Sequence, residues 1–359
     1  MMQTETQAQQ ESSQTKKDSK AKGLIKQVVM IGAAGALLYF SFRDCNLAAI
    51  WEYSVKSNPI FLALLVINAI ISHVLRALRW NLMLKPVSDH KISLFNSFTA
   101  VMMGYAVNIA IPRGGEVARL LSISRSEKLS VAGVLPTMFI DRLLDIAMLA
   151  LLLGITLMVV PKEMFGELPP WLVPGGIGLT VATFVGLAVL PHVSKIMRWF
   201  LNVDFVKAKL QDKWRSKLEG LSDQFGVGTK SLTNPVAYFP IAVLSFAIWF
   251  CYWLNLWLTI LAFNIQDKVT PLNTLITFTI GSIGVLVPTP GSVGGYHYLL
   301  KTGLMKTSGI NADLALAVAT LQHFICFILV ACIPAAICIG TCASGPYDVP
   351  RAASVPIML

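Results

Sequence analysis

The sequence predicts an all-α polytopic membrane protein: about six spanning helices plus two re-entrant broken-helix hairpins, arranged as an inverted repeat. Three observations lead there. The chain is 55% hydrophobic and only 13% charged, with a mean hydropathy of +0.65, whereas a soluble domain carries about a quarter charged residues. Eight apolar segments can be read off it: Leu24–Phe42, Pro59–Leu78, Ile92–Ile111, Val131–Val160, Trp171–Leu190, Val236–Phe263, Leu272–Val287 and Leu314–Ile339. Two of them end in proline-glycine breaks, Asn108-Ile-Ala-Ile-Pro112-Arg113-Gly114-Gly115-Glu116 and Val287-Pro288-Thr-Pro290-Gly291-Ser-Val-Gly294-Gly295-Tyr296. A helix broken in hydrocarbon strands backbone polar groups, so it persists only against protein or a water-filled cavity.

The placement of Lys and Arg selects among topologies. If all eight segments crossed, the loop 191–235, with eight Lys/Arg, would face away from the basic N-terminal tail. If the third and seventh enter, break and return, one side collects 22 Lys/Arg and the other six, with Arg142 inside a span. The positive-inside bias favours the second arrangement and places the N-terminus, the 191–235 loop and the C-terminus in the cytoplasm. It also exposes two units of opposite topology, 59–78/92–121/131–160 and 236–263/272–304/314–339, whose broken hairpins meet near the midplane as in inverted-repeat transporters. Residues 1–23 read as a disordered tail, 24–340 as one membrane domain and 341–359 as a short C-terminal tail. The net charge of +10 flanks spans rather than forming a basic face, which suits anionic lipids and excludes nucleic acid as the expected partner. Six cysteines without CxxC spacing read as small hydrophobes.

Polar residues at membrane depth mark the candidate site. Asp141, Arg142 and Asp145 sit inside Val131–Val160, where each charge costs roughly 2.5–3.5 kcal/mol. They are either an ion pair locking helices together or a patch that contacts a head group or relays a proton. Arg113 sits at the tip of the first break, Glu116 and Arg119 come after its glycine pair, and the planar fork of Arg matches phosphate oxygens. Backbone N–H groups after Gly114 and Gly115, and after Gly294 and Gly295, are expected to approach an anion. Arg76 and Arg79 share a face with His73 and read first as snorkelling anchors, second as substrate contacts. Tyr296 and His297 follow the second glycine pair, and Gln322 and His323 lie mid-span in the last apolar segment as its polar candidates. Trp249, Trp253 and Trp257, four apart, read as a packing or lipid-facing stripe.

The combination Arg76-x-x-Arg79-Trp80, Asn108-x-x-x-Pro112-x-Gly114-Gly115-Glu116-x-x-Arg119, Asp141-Arg142-x-x-Asp145 and Pro288-x-Pro290-Gly291-x-x-Gly294-Gly295 resembles one family. It looks like the transmembrane, flippase region of lysyl-phosphatidylglycerol synthases and the free-standing proteins built from that region alone. The resemblance covers about residues 24–340 and implies a lipid flippase of a prokaryotic cytoplasmic membrane, without the aminoacyl-transferase domain. The partners it implies are membrane lipids with an anionic or zwitterionic head group, and a second copy of the chain or a separate lipid-synthesising enzyme. There is no GxxxxGK[ST] loop, so no nucleotide drive is expected, and no cofactor or metal. The alternative is an intramembrane lipid-modifying transferase or phosphatase, for which Asp141, Asp145, His297 and His323 are the candidate groups.

Overall fold

A computed structural model of the chain describes residues 27–111, 114–160, 172–189, 192–203, 212–228 and 235–344. Within them the protein is all helical. Helix α1 (Gln27–Phe42) turns by 82° into the short α2 (Leu47–Val55). Asn46 makes the corner: its side chain accepts from the Ala48 and Ala49 N–H groups, and its own N–H donates to Asp313 Oδ1 at 2.7 Å. Ile50 anchors α2 on Leu316 and Ala317, leaving Leu47, Trp51 and Val55 exposed one turn apart. Such an outward apolar stripe on a short helix suits the lipid interface.

Helix α3 (Pro59–Leu84) starts on an Asn58 cap with proline in its first turn. Its buried face runs Leu65, Asn68, Ala69, Ser72, His73, Arg76, Arg79 and Trp80, the three-four spacing of one helical stripe, but half polar. Two elements form the first hairpin, α4 (Leu94–Ala110) and α5 (Gly114–Ser126). Helix α6 (Val131–Val159) follows, then α7 (Leu172–Val189), which packs on it. The stretch read from sequence as the 191–235 loop holds two helices, α8 (Val193–Leu201) and α9 (Asp212–Gly228), packed on each other. On α8, Ile196, Trp199 and Phe200 are exposed beside Lys195 and Arg198, again an interfacial pattern. Helix α10 (Pro235–Ala262) lies along α3, joined to it where Asn68 Nδ2 donates to Cys251 O and Asn255 Oδ1 at 2.8 and 2.7 Å.

The second hairpin is α11 (Pro271–Gly284) and α12 (Gly295–Ser308). The chain then closes with α13 (Ala312–His323), a π turn at Phe324–Leu329 and α14 (Val330–Ser344). Among the described residues four helices are long and apolar enough to cross a membrane: Pro59–Val87, Val131–Val159, Tyr238–Ala262 and Ala312–Cys338. The bent α1–α2 pair makes a fifth if it is one span.

The two hairpins are built alike. Helix α4 has 17 residues, α5 has 13, and α11 and α12 have 14 each. At 1.5 Å per residue these legs are about 20–26 Å long, short of the ~30 Å hydrocarbon core. In each hairpin the legs pack antiparallel through a pair of glycines, Gly104 on Gly115 and Gly284 on Gly295. A Cβ on either partner would run into the other's backbone carbonyl, so only glycine permits this approach. The hairpins sit in separate cores. The first packs with Trp80, Val134 and Ile140; the second packs with Ile248, Trp249, Leu256 and Val318. Their tips touch, because a Cβ built on Gly291 lies 3.8 Å from the Ile109 Cα.

Candidate functional site

Four arginines and three carboxylates converge where α3, α5 and α6 meet. Arg79, fully buried, places Nη2 2.6 Å from Asp141 Oδ1 and 2.7 Å from Asp145 Oδ1, and its Nη1 donates to Ser245 Oγ of α10 at 3.0 Å. Arg76 puts Nη1 2.8 Å from Asp145 Oδ2, while its Nε donates to the Tyr252 hydroxyl at 3.1 Å. Arg119 reaches Asp141 Oδ2 at 2.8 Å and holds its Cζ over the Trp80 ring, 3.8 Å from the centroid. Arg142 Nε stands 3.0 Å from Glu116 Oε1, and both side chains remain about 40% exposed. Helical spacing explains the convergence. Arg76 and Arg79 are three apart on α3, Asp141 and Asp145 four apart on α6, so two facing stripes present two charges each.

Beside this cluster lies a cavity of about 480 Å³, bounded by α3, both hairpin tips, α6, α10 and the π turn. Arg76, Glu116, Arg142 and Asp145 form its charged end. Leu149, Phe278, Val285, Leu286, Phe327 and Ala331 make much of the rest apolar. His73, Trp249, Thr289 and Gln322 add neutral polar groups to the wall. Size and lining fall in the range of small-molecule sites.

The second tip is held from behind. His323 donates from Nε2 to the Gly291 carbonyl at 2.8 Å, a partner that requires that nitrogen to carry the proton. His297 Nδ1 accepts from the Gly294 N–H at 3.4 Å. The two rings lie 4.6 Å apart, and His323 stacks on Phe327 of the π turn at 4.8 Å. The π turn, a feature frequent at functional sites, thus sits directly under the tip that closes the cavity.

Against this geometry the sequence has recognisable relatives. The family described as the lysylphosphatidylglycerol synthase TM region matches residues 26–333. The chain belongs to this family. A UPF0104 membrane protein of Methanothermobacter thermautotrophicus is 22% identical over 324 residues, which is 86% of this chain and 92% of the relative. No solved structure matches the chain.

Among the family motifs, Arg76, Asn108, Glu116, Arg142, Asp145, Pro288 and Gly291 line the cavity, and so does Tyr296 next to the second glycine pair. Arg79 and Asp141 are fully buried behind it, each with ionic partners, so the snorkelling reading of Arg76 and Arg79 gives way to internal pairing. Each aspartate touches at least two guanidinium groups, the geometry of the helix-locking ion pair. The Gly115 N–H, expected to face an anion, donates to Asn108 Oδ1 at 2.9 Å and ties the hairpin legs together. Gly114 packs on Ile111, and Gly294, at φ 89°, packs on Ala34 and Leu37 of α1. Gly295 packs on Gly284, and Pro290 opens the short turn at the second tip. His297 and His323 brace that tip rather than line the cavity. Trp249 of the tryptophan stripe does line it, while Trp253 and Trp257 stack on each other at 6.4 Å. Pro112 and Arg113 lie outside the described residues.

Sequence reading missed that Arg76 and Arg79 find their aspartates more than sixty positions along the chain. It also passed over Thr289 and gave Trp249 no wall position. The available signal was a polar residue inside a break or apolar run, which identifies candidates but not the cavity they share.

Proposed function

We propose that the protein is a lipid transporter that moves a lipid with a phosphate-bearing head group between the leaflets of a prokaryotic cytoplasmic membrane. The observation that carries this reading is the cavity at the meeting point of two hairpin tips, charged at one end and apolar elsewhere. A head group fits the charged end through Arg142 and Arg76 while its tails remain in the bilayer. Two units of inverted topology, each a long helix, a re-entrant hairpin and a second long helix, would let the tips part alternately toward either side. The short hairpin legs support re-entry over crossing. Groups that a lipid-modifying enzyme would employ are engaged elsewhere, with both aspartates on arginines and both tip histidines on backbone, which weighs toward transport.

Reconstitution tests it. Proteoliposomes containing the native chain and a fluorescent-head-group phospholipid are expected to expose inner-leaflet probe to an impermeant quencher, and Arg142→Gln is expected to slow that exposure. Equal quenching with and without protein in sealed vesicles overturns the reading.

Topology has its own check. Setting aside the buried Arg76, Arg79, Arg119 and Lys301, the two sides still carry nineteen Lys/Arg against five. A single cysteine at Gly220 of α9, where nothing lies within 4 Å of an added Cβ, is expected to be shielded from an impermeant thiol reagent outside intact cells. One at the exposed Lys56 is expected to be labelled. The reverse pattern would contradict the orientation.

A further inference from the structure

We infer that the head group this cavity takes is a phosphodiester bearing a neutral, hydroxylated group, a polyol or a sugar, and not an amine-bearing or aminoacylated one. The inference rests on the transport reading above and narrows its substrate class. Two independent observations on the cavity wall carry it.

The first is charge. Among the described residues the cluster holds four guanidinium groups against three carboxylates, one positive charge in excess. A phosphodiester supplies the single negative charge that balances it. An ammonium would need a carboxylate not already claimed. Asp145 is shared between Arg76 and Arg79, Asp141 between Arg79 and Arg119, and Glu116 faces Arg142. An aminoacylated head group would bring a further cation to a site that already has too many.

The second is the set of buried polar atoms left without partners. His73 Nδ1, Trp249 Nε1, Thr289 Oγ1 and Gln322 Oε1 belong to wall residues at least nine-tenths buried, and none of these atoms has a hydrogen-bond partner among the described residues. Leaving such atoms unpaired costs about 1–3 kcal/mol each, a cost that a hydrogen-bonding occupant of the cavity would relieve. Their chemistry is mixed. The indole N–H only donates, the amide oxygen only accepts, and the hydroxyl does both. Phosphate oxygens accept but cannot satisfy Gln322 Oε1, and an ammonium donates but cannot satisfy the Trp249 N–H. Hydroxyl groups do both, and several on one ring or chain reach several walls at once. Arg142 holds the phosphate, and the hydroxylated portion fills the neutral wall between α3, α10, the second tip and α13.

The test is binding of defined short-chain lipids to the purified full-length chain, read as ligand-dependent thermal stabilisation. The probes are phosphatidylinositol, phosphatidylglycerol, phosphatidic acid, phosphatidylethanolamine and lysyl-phosphatidylglycerol. Phosphatidylinositol and phosphatidylglycerol are expected to bind about tenfold or more tightly than the other three, the equivalent of one or two hydrogen bonds. Gln322→Leu and Thr289→Val are expected to remove that advantage over phosphatidic acid and leave phosphatidic acid binding unchanged. Arg142→Gln is expected to weaken every anionic probe. Tight binding of lysyl-phosphatidylglycerol or phosphatidylethanolamine, or equal loss of phosphatidic acid in the Gln322 and Thr289 variants, overturns the head-group assignment. If these lipids bind alike and still cross in proteoliposomes, the assignment fails and the transport reading stands. If none binds and none crosses, both fail.

Discussion

Asp141→Asn is expected to destabilise the protein by about 3–5 kcal/mol, the usual consequence of removing one partner from a buried ion pair. The carboxylate is fully buried and accepts from Arg79 at 2.6 and 3.1 Å and from Arg119 at 2.8 Å. An amide keeps the shape and cancels the charge, leaving two guanidinium groups to compete for what remains. Asp145→Asn is expected to do less, because its side chain is 14% exposed and water can take up part of the loss. The measurement is the thermal midpoint of the detergent-solubilised protein by size-exclusion fluorescence. A second change, Arg119→Met, is expected to recover part of the stability lost in Asp141→Asn by removing one stranded cation, since the Met side chain can keep packing on Trp80. An unchanged midpoint together with loss of pH-gradient dependence in lipid movement would instead mark a titrating carboxylate.

Gly115→Ala is expected to be the next most damaging change, costing about 1–3 kcal/mol or more through overpacking. The added Cβ overlaps the Gly104 carbonyl and comes within 2.6 Å of Asn108 Cγ. The legs cannot move apart without losing the Gly115 N–H bond to Asn108, which joins them near the tip. Gly284→Ala is expected to act in the same way on the second hairpin, against the Gly295 backbone. Gly154→Ala is the control. Nothing lies within 4 Å of its added Cβ, and in a helix interior alanine is favoured over glycine by about 1 kcal/mol. Equal melting of Gly115→Ala and Gly154→Ala would contradict the close-packed hairpin.

Much of this architecture was legible because its rules are local. The helix end at Ala110 and the restarts at Gly114 and Gly295 fall within the proline-glycine breaks visible in the chain, and the end at Gly284 falls just ahead of the second. The apolar runs became helices close to their read limits, Val131–Val160 as Val131–Val159, for example. Three helices escaped, among them the polar Asp212–Gly228, which was read as loop, and two short ones. Leu47–Val55 and Val193–Leu201 are too short for a hydropathy window, and their apolar side faces outward, so a reading in terms of spans or loops discards them. The candidate site was legible as a set of residue types at membrane depth. Its pairing was not, because Arg79 meets Asp141 and Asp145 only through the packing of α3 on α6, which no local spacing encodes. The same limit applied to the glycines. Their rarity of side chain suggested an open backbone facing a ligand, whereas at Gly115 and Gly295 the opposite leg occupies that space.

If lipid passes between the two hairpin tips, locking the tips together stops it. Ile109→Cys with Gly291→Cys, in a chain whose native cysteines are replaced, puts two thiols where a Cβ on Gly291 is 3.8 Å from the Ile109 Cα, within bridging reach. Oxidised proteoliposomes are expected to stop moving lipid and to resume on reduction, while each single-cysteine variant moves lipid under both conditions. Lipid crossing at the native rate with the bridge shown intact by mass spectrometry would contradict passage between the tips.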